Sequence, residues 1–503
     1  MTNREKFFLN GLLLTAVGLA VRSVTLLFNS MISGKIGAEG IGLFTLIGTV
    51  YGFAVTFATS GISLTVTKLV SEAVGEGRER EVPAILKSAV FYSLIFSTLA
   101  TVVLLFGADC FGGILLSDKR TVTPLRILSL SLIPVALSSA LSGYFIGVKR
   151  VAMNASVQIA AQVFKIAITA VFLFSYAFLG IEEGVTMLCI SITLTEISVF
   201  VVALVEFLID KRIHFKNKPD IKKGHLGAVS KMALPLALSA YIRSALLTLE
   251  HILIPKRLCA GGESHEDALA HYGILHGMAL PILLYPMSTL TSFSGLLVPE
   301  FSESSARGEE KRLSRVASEA LNTTLVYSFA SMAFVSLFSA ELGYVFYGSY
   351  EAGKYISLMA PVIPIMYLDH VCDSMLKGIG EQVYSMWVNI SDSLLSIILV
   401  WFLIPKLGIS GYGLVIVIME GYNFLLSVAR LRKRIKFRID YIFSGILPVG
   451  CAAVSAFISK KAFVSAGKFT SPFWLALEII FAVCIFLSLY MFSKMLLLRK
   501  KQA

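Results

Sequence analysis

The chain has 503 residues, 56% of them hydrophobic and only 15% charged, and its 44 Lys and Arg against 32 Asp and Glu leave a net charge of +12. Soluble globular chains carry about 25% charged residues, and no polar stretch here exceeds roughly 20 residues. These figures exclude a soluble enzyme, a nucleic-acid-binding protein and any sizeable domain outside a membrane, so the positive charge needs a membrane explanation first.

A helix needs about 20 mostly apolar residues to cross a bilayer. That window predicts about fourteen segments, near residues 7–32, 42–67, 85–107, 122–146, 154–178, 184–208, 229–254, 272–298, 317–339, 355–377, 384–404, 411–432, 440–459 and 472–495. The first begins with positive charge, as a signal peptide does, but continues to Ile32 without a small-residue cleavage site and is read as an uncleaved helix. Basic residues fall about three to one on alternate loops, which places both termini in the cytoplasm. The densest basic runs, residues 211–231 and 430–438, suit anionic lipid headgroups rather than nucleic acid. Cys110, Cys189, Cys259, Cys372, Cys451 and Cys484 are scattered, with no CxxC and no metal-ligand spacing, and read as small apolar residues.

The loop after the second segment, KLVSEAVGEGRERE, matches the loop after the eighth, PEFSESSARGEEKR. The alignment pairs Ser71 with Ser302, Glu72 with Glu303, Gly77 with Gly308 and Glu79 with Glu310, each 231 residues apart. The same offset pairs Gly42 with Gly273, Gly147 with Gly378 and Gly180 with Gly411. Arg22-Ser23 falls on Arg243-Ser244 at an offset of 221, the difference being absorbed by the longer loop 255–271. Six helices per half is an even number, so the halves enter the membrane in the same orientation, as parallel repeats with a substrate site between them. The expected architecture is an all-α polytopic membrane protein: a six-helix lobe over 1–212, a basic cytoplasmic linker over 213–228, a second six-helix lobe over 229–434, and two additional helices with a basic tail over 435–503. A V-shaped pair of lobes suits alternating access, and no filter loop of a channel is present.

A charge at the centre of a membrane helix costs about 2.5–3.5 kcal/mol on the insertion scale. Arg22, Lys165 and Arg243 fall near the midplane of their segments, and the acids Glu196, Asp369, Asp373, Asp392 and Glu420 also lie within segments. Lys165 and Glu196 sit at similar depth on adjacent helices and are placed to pair. Asp373 and Lys377, four residues apart on one face, suit a local ion pair. Asp369 and Asp373 share a face as well, an arrangement suited to a cation or a proton. Arg22 and Arg243 occupy the same place in the two halves, and a guanidinium fork suits bidentate recognition of phosphate; the competing reading is cavity-lining salt bridges. Asn154, Gln158, Gln162 and Lys165 form one polar stripe at helical spacing, suited either to lining a cavity or to holding helices together. No glycine-rich phosphate loop, nucleophile elbow or zinc signature occurs, so neither catalysis nor a cofactor or metal is expected.

Residues 34–81, GKIGAEGIGLFTLIGTVYGFAVTFATSGISLTVTKLVSEAVGEGRERE, together with LIPKLGISGYG at 403–413, resemble the polysaccharide-transporter branch of the multidrug/oligosaccharidyl-lipid/polysaccharide (MOP) exporter superfamily, in particular its stage V sporulation protein B group. The resemblance extends distantly to lipid II flippases. It implies flipping of a polyprenyl-diphosphate-linked oligosaccharide, a peptidoglycan or surface-polysaccharide precursor, across a bacterial plasma membrane. Lipid II flippases line their cavity with several arginines, a character matched here by Arg22 and Arg243, with Lys165, Gln162 and Gln158 beside them as substrate-binding candidates. Asp369, Asp373 and Asp392 are the cation-coupling candidates, with Na+, H+ or the membrane potential as the drive, and the chain is expected to act as a monomer. The competing readings are a cation-coupled multidrug antiporter of the same superfamily, a membrane glycosyltransferase or ligase, and a non-transporting scaffold.

Overall fold

The computed structural model describes residues 3–175, 180–214, 225–440, 442–464 and 472–502, and among these it is almost entirely helical, with no strand. Lipid offers no hydrogen-bond partners, so each apolar segment satisfies its backbone internally by coiling. Among the described residues, twelve helices are long and apolar enough to cross a membrane, or thirteen when the bent pair Lys119–Ser129 and Leu132–Gly147, meeting at 45°, is counted as one more span. At the start of the chain, Asn3–Thr59 is two helices meeting at a kink at Gly37, with φ 69 and ψ −175, and a turn at Ser60 and Gly61, φ 47 and 67, falls inside the expected segment 42–67. The Gly37 conformation is open to glycine and strained for any other residue.

The expected segment 272–298 is divided as well. A wide-turned stretch, Gly273–Ala279, leads into the short helix Leu280–Leu284, and Met287–Ala306 continues after Tyr285 and Pro286. A break within a span frees backbone carbonyls that water cannot reach. Tyrosine hydroxyls take them: Tyr367 donates to the Leu283 carbonyl at 2.7 Å and Tyr327 to the Pro286 carbonyl at 2.8 Å. The Tyr285 hydroxyl itself lies 2.8 Å from Ser23 Oγ.

The chain forms two compact units, Lys35–Lys256 and the pair of segments Met1–Gly34 with Arg257–Ala503. The core of the first includes Val66, Val70, Tyr144 and Phe145. That of the second includes Leu297, Phe301, Met375 and Leu376, each 231 positions after one of those four. Helix ends repeat the relationship. Gly77 and Gly308 take φ 72 and 67. The turn is closed in one unit by Arg78 N on the Ala73 carbonyl at 2.7 Å, and in the other by Glu309 N on the Ser304 carbonyl at 3.0 Å, the hydrogen bond of a left-handed helix stop.

The first helix of each half belongs to the unit built mainly from the other half. Met1–Gly34 joins the unit of Arg257–Ala503, where Ser23 meets Tyr285. The helix Leu226–Ala260, as far as Lys256, joins Lys35–Lys256. There the Tyr241 hydroxyl bonds Ser60 and its ring stacks on Phe57 with centroids 5.1 Å apart. One and two turns further on, Ser244 Oγ donates to Thr56 Oγ1 at 3.3 Å and Thr248 Oγ1 to the Thr49 carbonyl at 3.2 Å. Of the expected linker 213–228, residues 215–224 lie outside the described residues.

Candidate functional site

The expected substrate-binding side chains divide between the units. Arg243 is exposed, two residues from Tyr241 and off the face that packs on Phe57 and Thr56. Arg22 belongs to the other unit, and its side chain falls outside the described residues. In the unit Lys35–Lys256, the polar stripe on Val151–Ser175 is not used uniformly. Asn154 Oδ1 accepts the Ser142 hydroxyl at 2.7 Å, a helix-to-helix hydrogen bond. Gln158 is exposed, whereas Gln162 is half-buried with an Oε1 that has no hydrogen-bond partner. Lys165 is half-buried and interacts electrostatically with Glu196 on Ile181–His214. Glu196 also acts on Tyr51, whose hydroxyl lies 2.7 Å from Ser131 Oγ. Lys165 is thereby compensated within its own unit, as a charge inside a membrane requires.

The carboxylates of the other unit come from three consecutive helices, Ile363–Gly378, Gln382–Leu407 and Ile409–Arg434. Asp373 and Lys377 form the expected local pair at 2.6 Å. Asp369 accepts the Ser427 hydroxyl at 2.8 Å and interacts electrostatically with Asp373 and Asp392. Glu420 acts on both Asp369 and Asp392, and so joins the acidic group from the third helix. Among the described residues no three His, Cys, Asp or Glu side chains converge closely enough to hold a metal ion.

The same unit contains a cavity of about 1030 Å³. Val326, Ala330 and Phe334 of Glu310–Leu337 form one wall, and Leu475, Ile479 and Phe486 of Pro472–Gln502 form another. Most of the lining is apolar; its polar side chains are Ser23, Tyr285, Asn322, Thr323, Tyr327, Ser331, Ser444 and Tyr490, with Lys494 near one end. The lining runs from Pro472 to Lys494 along a single helix, a rise of about 33 Å at 1.5 Å per residue, which matches the hydrocarbon thickness of a bilayer.

Hydropathy could not show this slot, because its walls come from segments more than 140 residues apart in the chain, Val326 and Leu475 among them. Glu420 was visible as an acid inside a span, though nothing in the sequence joined it to Asp369 and Asp392. Glu478 was overlooked, although a carboxylate inside the expected segment 472–495 is itself a signal.

A family model described as polysaccharide biosynthesis protein matches residues 8–305, and one described as MatE matches residues 258–402. Stage V sporulation protein B of Bacillus subtilis (strain 168) is 28% identical over 476 residues, 92% of this chain and 91% of that protein. The structure of lipid II flippase MurJ in an inward closed conformation superposes with a TM-score of 0.69 at 17% identity, covering 96% of this chain and 100% of that one. An inward-facing multidrug resistance MATE family transporter of the MOP superfamily gives a TM-score of 0.70 at 15% identity, covering 84% and 98%. At these identities the two structures speak for the fold.

Proposed function

Because the chain belongs to the polysaccharide biosynthesis protein family, which sets it among the MOP-superfamily transporters, we propose that it translocates a polyprenyl-diphosphate-linked oligosaccharide across the plasma membrane by alternating access. The observation that carries this reading is the cavity of about 1030 Å³ beside Pro472–Gln502, which has the depth of a bilayer and mainly apolar walls. A hydrocarbon chain gains from such a slot at about 25 cal/mol per Å² of apolar surface covered, whereas a free sugar or a small cation gains little. In this mechanism the tail lies along the slot and the sugars occupy hydrated space. The diphosphate meets Arg22 and Arg243, with Gln158 and Gln162 offering amide hydrogen bonds and Lys165, paired with Glu196, adding positive potential. The chief barrier is desolvation of the headgroup, because the tail never leaves an apolar medium. Asp369, Asp373 and Asp392 couple the cycle to Na+ or H+, with the membrane potential contributing to the drive. Both termini face the cytoplasm, and the chain works as a monomer without cofactor or catalysis.

One observation favours a second reading, a cation-coupled multidrug antiporter. The acidic group of Asp369, Asp392 and Glu420 suits an organic cation as well as it suits a coupling ion. Proteoliposomes loaded with a fluorescent polyprenyl-diphosphate oligosaccharide separate the two. Wild type flips the lipid, while Arg22→Ala and Arg243→Ala, still folded, do not. Flipping undiminished in both variants removes the arginines from the site. No flipping of several such lipids by folded wild type, together with export of organic cations, replaces the flippase with the antiporter.

A further inference from the structure

Three ionisable side chains meet between the last two helices and a short helix beside them, away from the acidic group already described. Lys460 of Leu447–Val464 places Nζ 2.6 Å from Glu341 Oε1 on Ser339–Tyr347 and 5.1 Å from the Phe338 ring centroid. Glu478 of Pro472–Gln502 is only 4% exposed, and its Oε1 is buried with no hydrogen-bond partner. It interacts electrostatically with both Glu341 and Lys460. The register is held by Ser459, whose hydroxyl donates to the Glu478 carbonyl at 2.8 Å. The facing helices carry one further charge near Lys460, Lys461, whose Nζ sits 4.9 Å over the Phe457 ring, and the titratable hydroxyls Tyr344 and Tyr347. On the same helix as Glu478, Lys494 lies over the Tyr490 ring at 5.8 Å. Lys468 falls outside the described residues.

The group holds one ammonium and two carboxyls. With all three ionised, it leaves a net negative charge in an apolar layer; Glu341 Oε2 also lacks a hydrogen-bond partner, but Oε1 of that carboxylate holds Lys460, so the uncompensated charge rests on Glu478. Removing one partner of a buried charge balance is among the costliest arrangements a fold can hold. One proton resolves it, leaving a matched Lys460–Glu341 pair and a neutral acid. We propose that Glu478 is a proton-binding site, loaded while Lys460 is committed to Glu341. The loaded acid lets Ser339–Tyr347, Leu447–Val464 and Pro472–Gln502 pack together. Loss of the proton sets Glu478 against Glu341 in competition for Lys460. Leu342 and Phe346 of the first of these helices, and Leu475 of the third, line one end of the cavity, so the proton also bears on how that end is held.

Infrared spectroscopy of the purified full chain in lipid near neutral pH reads this directly. Wild type shows a protonated-carboxyl carbonyl band at the high-frequency position of an acid whose carbonyl accepts no hydrogen bond, and Glu478→Gln lacks it. Lys460→Met, which leaves both carboxyls without a cation, gains a second protonated-carboxyl band. A wild-type spectrum whose protonated-carboxyl region is unchanged by Glu478→Gln overturns the proposal. So does a protonated-carboxyl band that persists in Glu478→Gln and is lost in Glu341→Gln, which puts the proton on Glu341. Should Glu478→Gln not fold, Lys460→Met decides, and no gain of a second band overturns the proposal.

Discussion

Ser302 donates its hydroxyl to the Gly378 carbonyl at 2.8 Å, fastening Met287–Ala306 to the end of Ile363–Gly378. In the other unit Ser71 makes the same hydrogen bond to Gly147 at 3.2 Å, and each partner is displaced by 231 positions. The glycines permit the contact. A Cβ on Gly378 would lie 2.6 Å from Phe301 Cβ and 2.9 Å from the Val298 carbonyl oxygen. One on Gly147 would lie 2.8 Å from Val70 Cβ and 3.1 Å from the Thr67 carbonyl oxygen. These neighbours are backbone or the root of a side chain and cannot swing away.

Gly378→Ala and Gly147→Ala therefore each destabilise the protein by about 1–3 kcal/mol through overpacking. Gly450, which has nothing within 4 Å of a built Cβ, accepts alanine with little change or a small gain. Thermal unfolding of the three variants in detergent checks the contrast, and equal midpoints for all three would contradict it.

The turn after each of these glycines reverses with a residue in the left-handed region: Gly380 at φ 84 in one unit and Lys149 at φ 62 in the other. A side chain there costs roughly 1–2 kcal/mol that glycine does not incur. Lys149→Gly is expected to raise the unfolding midpoint and Gly380→Lys to lower it.

Those turns are also tied to a later helix with opposite polarity. Arg150 Nε lies 3.4 Å from Asp210, whose other oxygen accepts the Tyr144 hydroxyl at 2.6 Å. Its counterpart Glu381 accepts from Arg430 at 2.8 Å and from Arg434 at 2.6 Å. Hydrogen bonds from Arg430 and then Arg434 hold the Glu381 carboxyl below its ordinary value. A carboxyl lowered in the folded state stabilises it above the unfolded value of about 4.3, and that contribution disappears as pH falls through the folded value. The midpoint difference between wild type and Glu381→Gln should accordingly be largest near neutrality and close in acid. A difference that grows in acid would refute the assignment.

Lys165 and Glu196 compensate each other inside a span, so removing one strands the other. Lys165→Met and Glu196→Gln should each cost more than the double variant, with a coupling of about 0.5–3 kcal/mol. A double-mutant cycle of thermal stabilities measures it, and strict additivity would separate the pair.

The cavity makes a functional prediction. Ala476 is exposed and lines the slot, so tryptophan there fills space without disturbing a core. Ala476→Trp should leave the unfolding midpoint near wild type while slowing flipping of the polyprenyl lipid by about tenfold or more, equivalent to about 1.4 kcal/mol. Unchanged flipping would show that the tail travels elsewhere.

Membrane class, the positions of nearly all spans and the local pair Asp373–Lys377 were legible in the chain, because apolar length and helical spacing are properties of neighbouring residues. The 231-residue spacing was legible too, through loop residues such as Gly77 and Gly308 whose backbone conformation restricts what can stand there. Gly37 was harder to interpret. Nothing local says that the chain kinks there between one helix and the next.

Long-range placement was decided by the tertiary structure alone. Ser23 meets Tyr285 across 262 residues and Tyr241 meets Ser60 across 181, which puts the first helix of each half in the unit of the other. The cavity beside Pro472–Gln502 and the cluster of Glu341, Lys460 and Glu478 have the same origin. In lipid every apolar helix is equally content with its surroundings, so hydropathy selects which segments enter the membrane and is silent on which of them touch. That choice falls to shape, a few hydroxyls and the need of each buried charge for a partner, and these act only once the helices are assembled.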